Sequence, residues 1–202
     1  MNRNLKIDFL RAVCMFYITA VLHLSSYLGP DKFLWHNTYG NSFTWTCLGT
    51  FSLLSGYLLA KKYSCDSWND ALFFWKKRLL RFYPLFILST ICLYLIGFND
   101  LRQSVYGLLG MAPFVSSPPK TLWYISMMIV FYLICPIVLV GNNKKRIIRS
   151  ILVFVFVVAL SRFIHVDFRF IFNLLVFLIG VCFVGFEDKV LKIKLLNTPP
   201  IR

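Results

Sequence analysis

Apolar stretches of about 20 residues recur along this 202-residue chain, and that recurrence limits its fold more than any other feature. Hydrocarbon offers no water to an exposed peptide group, so a segment that crosses it must satisfy its own backbone hydrogen bonds. Charged residues make up only 15% of the chain and hydrophobic ones 58%, which excludes a soluble globule, a disordered chain and a secreted disulfide scaffold. The pattern predicts an all-α, polytopic integral membrane helical bundle.

Six spans are expected, over residues 7–28, 42–60, 82–98, 121–140, 147–163 and 169–186. The first run is followed by HLSSYLGPDK rather than by a small-residue cleavage site, so it reads as a retained span and not a cleaved signal. Residues 102–119 are shorter, are broken by Gly107, Gly110 and Pro113, and close on SSPP. They predict a partial helix or surface element that helps to line a cavity, where irregular backbone is tolerated at membrane depth. The chain then divides into a membrane domain over 1–186 and a short basic tail over 187–202.

The net charge of +14 raises the question of nucleic acid, and the placement of the charge answers it. Basic residues fall in clusters between the apolar runs, as cytoplasmic loops of membrane proteins do. With both termini inside, seventeen of the 22 Lys and Arg residues are cytoplasmic, leaving Lys32, Arg102, Lys120, Arg162 and Arg169 outside. The reading is of a multi-pass protein with the bilayer, and no nucleic acid, as its partner. The six cysteines show no CxxC pair and no metal-ligand spacing, so no metal site is expected. No Walker loop, GxSxG, HExxH or GxGxxG is present.

Ionisable groups inside a span are expensive and therefore informative. His23 falls in the outer half of the first span, where two readings stand: a titrating functional group, or a packing histidine held by Ser25 and Ser26. Asp8 and Arg11 lie three residues apart on one helix face and can pair, which by itself fits an anchor at the cytoplasmic mouth. Arg78 and Arg81 share a face just before Pro84, within the cluster Lys76, Lys77, Arg78, Arg81, where two guanidinium forks could hold a phosphate or pyrophosphate. Ser55 and Gly56 put a small pair inside the second span, a pattern that favours close helix packing.

Four separated patterns resemble acyltransferase family 3: IDFLRAV from Ile7 with His23 downstream, FSLLSGYLL from Phe51, KKRLLRFYPLF from Lys76, and LWYISMMIVFYLICP from Leu122 to Pro136. Members are polytopic membrane O-acyltransferases, mostly of bacterial inner membranes, that modify cell-surface glycans. The resemblance implies an acyl-CoA donor, usually acetyl-CoA, used as a substrate with no permanently bound cofactor. It implies as acceptor a hydroxyl of a surface glycan or lipid-linked saccharide. On that resemblance the candidate catalytic residues are His23, as general base on the acceptor hydroxyl, Arg11, as a cation near the donor, and Asp8. Arg78, Arg81 and Ser55 become candidates for binding the donor, and Trp123, Ser126 and Tyr132, in the later helix motif, for binding substrate.

Three departures carry consequences. Eleven residues separate Arg11 from His23 where the family has ten, which turns the two about 120° apart on a regular α-helix; a π-bulge between them would restore the register. Many members carry Glu in the helix aligned with Met128 and Ile129, so no acidic role carries over there. Full members have about ten spans, so a chain with six is expected to be a truncated version that acts alone, joins a second subunit or homo-oligomer, or survives as a non-catalytic membrane subunit.

Overall fold

A computed structural model describes residues 5–23, 38–63, 65, 67–119, 122–141 and 145–196, with the side chains of 21–23, 38–39 and 188–196 outside the description. Seven α-helices are described: α1 (Leu5–Tyr17), α2 (Thr38–Lys62), α3 (Trp68–Leu95), α4 (Leu101–Leu108), α5 (Trp123–Leu139), α6 (Arg146–Leu160) and α7 (Phe168–Leu196). A π-helical segment, Ile18–His23, prolongs α1, and a 3-10 turn, Ala112–Phe114, follows α4. The class is all-α. Three of the helices, over Gly40–Lys62, Trp68–Leu95 and Phe168–Glu187, are long and apolar enough to cross a membrane. Trp123–Leu139 is apolar but shorter, so six full spans are met only in part by helix length.

Helix α3 departs most from the expected spans. Its sequence suggests a basic loop that enters the membrane near residue 82, whereas the helix starts at Trp68 and runs through Pro84. A capping box fixes the start. The Ser67 hydroxyl accepts from the Asp70 N–H, and the Asp70 carboxylate accepts from the Ser67 N–H at 2.9 Å. Lys76, Lys77, Arg78 and Arg81 therefore project from helix, not loop.

Lipid tails are as apolar as leucine, so helices in a bilayer associate through close packing and internal polar contacts rather than by escaping water. Helices α2 and α7 show how. A Cβ on Gly56 would lie 2.1 Å from the Phe177 carbonyl oxygen, and one on Gly180 would lie 2.1 Å from that of Leu53. Each glycine admits the other helix's backbone, as the small pair in the second span predicts. Around this crossing Phe131, Phe170, Leu174, Phe177 and Val181 are fully buried, with the Phe131 and Phe177 rings 4.9 Å apart.

The two ends of the bundle differ in chemistry. At one, the Gly141 N–H donates to the Cys65 carbonyl at 3.0 Å, tying the α2–α3 and α5–α6 connections together. At that end also Lys61 donates to both oxygens of Glu187 at 3.0 and 3.1 Å, while the Tyr57 hydroxyl donates to Glu187 at 2.6 Å. This end carries Lys61, Lys62, Lys145 and the C-terminal part of α7. At the other, the Asp167 N–H donates to the Pro113 carbonyl at 2.8 Å.

The partial segment packs against α3 and α5. Tyr83 donates its hydroxyl to the Leu108 carbonyl, and Ser126 donates to the Gly107 carbonyl at 2.8 Å. Gly110 turns the chain with φ of +74°, a conformation that L side chains rarely adopt, hard against Ile129. Ala112, Pro113 and Pro118 of this segment line a recess of about 10 Å³ beside Trp123.

Candidate functional site

Between α1, α3 and α5, with Phe51 of α2 as its floor, lies a cavity of about 610 Å³. Helix geometry explains its walls. Arg11 and Met15 of α1, with Ile18 and Thr19 of the π-helical segment that prolongs it, recur at three- and four-residue spacing, and Arg78, Arg81, Phe82, Leu85 and Ser89 do the same on α3. From α5 come Tyr124, Ile125, Met128 and Tyr132. From Arg11 to Thr19 its lining runs about 12 Å along α1 and the start of the π-helical segment.

Its two ends are unlike. The guanidinium of Arg11 stacks 5.3 Å from the Phe51 ring centre, and that of Arg78 lies 5.2 Å from the ring of Tyr63, just beyond the basic end of α2. Arg81 completes a group of three cations, with Tyr132 in the same wall. No Asp or Glu is among the described lining residues. The Nε atoms of Arg11 and Arg78 are buried without a hydrogen-bond partner among the described residues. Guanidiniums gathered without a carboxylate repel one another, and they discharge that cost best onto a bound polyanion. Farther from them the walls include Leu85, Phe86 and Met128, all apolar.

Four of the candidates from sequence thus meet in one cavity: Arg11, Arg78, Arg81 and Tyr132. Asp8, half-buried one turn before Arg11, does not line it. The π-helical segment falls between Arg11 and His23, where the extra residue in their spacing asks for one. His23 ends that segment, and its side chain lies outside the description. Ser55 is buried in α2 without a hydrogen-bond partner among the described residues and is not part of the cavity wall. Ser126 binds the Gly107 carbonyl and Trp123 faces the other side of α5, so neither reaches the cavity.

Trp123 belongs to a separate cluster. Arg169 stacks its guanidinium 4.4 Å from the Trp123 ring and pairs with Asp167 at 2.5 Å. Burial alone would raise the Asp167 carboxyl, but the hydrogen bonds and charge of Arg169 outweigh it and hold the group below its ordinary range.

Sequence reasoning missed Tyr124, whose ring lines the cavity while its hydroxyl lies 3.0 Å from that of Ser52. Ser52 in turn donates to Asn173 at 3.0 Å, and Asn173 donates to the Arg169 carbonyl at 2.8 Å. This buried polar chain joins α2, α5 and α7 behind the cavity. Ser52 and Asn173 inside apolar spans were the available signal. Met128, at the position where a carboxylate was sought, lines the cavity as an apolar wall.

A family model described as an acyltransferase domain matches residues 4–193. No curated protein and no solved structure matches the chain.

Proposed function

Because the chain belongs to the acyltransferase 3 family, and so is an acyltransferase built on membrane-type helices, we propose that it transfers an acetyl or similar small acyl group from acyl-CoA to a hydroxyl of a cell-surface or lipid-linked glycan. The observation that carries this reading is the cavity with three arginines at one end, no carboxylate among its described lining residues, and apolar walls beyond. Such a site suits a ligand with several phosphates at one end and an uncharged thioester arm at the other. Arg78 and Arg81 hold the CoA phosphates by forked, charge-assisted hydrogen bonds, and Arg11 adds its cation beside them. Asp8, three residues before Arg11, contributes its charge next to that guanidinium.

His23 removes the proton from the acceptor hydroxyl as its oxygen attacks the thioester carbonyl. The carbon–sulfur bond breaks, the acyl group stays on the acceptor oxygen, and the proton held by His23 passes to the departing CoA sulfur. Bringing both substrates to one enclosed place supplies much of the rate. Positive charge marks the cytoplasmic side, so the basic end, with Lys61, Lys62 and Lys145, faces a bacterial cytoplasm where CoA thioesters are made, and the acceptor approaches from the opposite end.

The test is transfer of label from tritiated acetyl-CoA to extracted glycan by membranes that express only these residues. Label that appears with the parent and disappears with His23→Ala supports the reading. A properly inserted parent that transfers nothing overturns it in favour of a subunit that needs a partner.

A further inference from the structure

Among the described residues the cavity's side wall is incomplete. Among these residues, α1 packs on α2 and α3 packs on α4 and α5, so α1 and α3 stand on opposite sides of the cavity without an extensive contact between them. The rim of the gap between them is formed at mid-height by Met15 and Leu85, which are 50% and 68% exposed. Nearby Thr19 and Ser89 bring the only hydroxyls on that rim among the described residues, and both are turned inward upon their own helices. Thr19 donates to the Met15 carbonyl at 2.9 Å, and Ser89 donates to the Leu85 carbonyl at 2.9 Å. What the gap offers is therefore hydrocarbon, continuous on one side with the apolar cavity wall and on the other with the lipid-facing surface of α3, a helix only 17% buried over its most apolar window.

We propose that the gap between α1 and α3 lets the acyl chain of the donor pass from the cavity into the bilayer, so that medium-chain acyl-CoA binds there alongside acetyl-CoA. The inference rests on the reading that the three arginines hold the CoA phosphates. With the phosphates at the basic end, the extended arm carries the thioester to the far end of the cavity, level with Thr19 and Ser89, one turn before His23 and one turn beyond Met15 and Leu85. A chain longer than acetyl then meets no closed end. It continues sideways into lipid, where each methylene leaves water for an apolar medium and affinity rises with chain length.

The experiment is displacement of tritiated CoA from the full chain in lipid nanodiscs by CoA, acetyl-CoA and octanoyl-CoA, with free ligand measured in the aqueous phase. Octanoyl-CoA is expected to compete at least about tenfold more tightly than acetyl-CoA, because its six added carbons leave water for an apolar medium on binding. Leu85→Trp and, independently, Met15→Trp are expected to raise the octanoyl-to-acetyl ratio of inhibition constants at least about tenfold by narrowing the gap. Both positions face lipid, so a bulky apolar residue is compatible with folding. Octanoyl-CoA no tighter than acetyl-CoA in the parent, or ratios unmoved in both variants, overturns the lateral exit while leaving the donor site intact. Failure of CoA itself to bind overturns the donor-site reading and this inference with it.

Discussion

At the residue scale, the argument turns on guanidinium geometry. Arg78 has a buried Nε and sits over the Tyr63 ring, contacts that a lysine ammonium reproduces in charge but not in shape. Arg78→Lys is expected to weaken acetyl-CoA binding by about tenfold or more, the loss of roughly one charge-assisted hydrogen bond, as read by displacement of labelled CoA. Asp167 gives a separate, pH-dependent prediction. Arg169 holds its carboxyl below the value it has in the unfolded chain, so its stabilisation is complete above that unfolded value and is lost as pH falls through the lowered one. Melting curves should show the parent more stable than Asp167→Asn at pH 6, with the gap closing below about pH 4. An unchanging gap down to pH 3 would contradict the assignment. Arg11 was legible as a cation at the mouth of an apolar span, Arg78 and Arg81 as a pair on one face just before Pro84, and Tyr132 only through the family motif. Phe51 and Met128 were not, since in a helix apolar all round nothing in the letters says which face meets a cavity.

At the scale of elements, the crossing of α2 and α7 depends on two missing side chains. A methyl on Gly180 would sit 2.1 Å from the Leu53 carbonyl oxygen, backbone that cannot rotate aside. Gly180→Ala is expected to force the helices apart and to destabilise the bundle by about 1–3 kcal/mol, measured as a lower midpoint of thermal aggregation in detergent. Gly185→Ala, where an added Cβ meets nothing within 4 Å, is the control and should change little. The Ser55–Gly56 pair announced this packing. The start of α3 was misread because its basic residues were weighed as loop charge, while the capping residues Ser67 and Asp70, also present in the sequence, mark the true beginning. The partial nature of residues 102–119 was legible from their glycines and prolines. Their location was not, since the hydrogen bonds of Tyr83 and Ser126 that seat them come from distant helices.

At the scale of the whole molecule, the clustered loops make orientation testable. The α2–α3 and α5–α6 connections touch, and the loop before α7 joins the opposite end through Asp167 and Pro113. Single cysteines at Lys145→Cys and His165→Cys, in an otherwise cysteine-free chain, should react with an impermeant maleimide from opposite sides. The outside reagent is expected to label only position 165, and labelling of position 145 from outside would invert the proposed topology. The family match over residues 4–193 makes the chain an acyltransferase; the central claim is that the three arginines between α1, α3 and α5 receive its donor. The most direct measurement is equilibrium binding of acetyl-CoA to the parent, to the triple variant Arg11→Ala, Arg78→Ala, Arg81→Ala, and to the double variant Lys76→Ala, Lys77→Ala, whose exposed lysines stand on α3 outside the cavity wall. The account predicts that the triple variant loses at least about a hundredfold in affinity while the lysine variant stays within about threefold of the parent. Equal losses in both, or none in the triple variant, would contradict it.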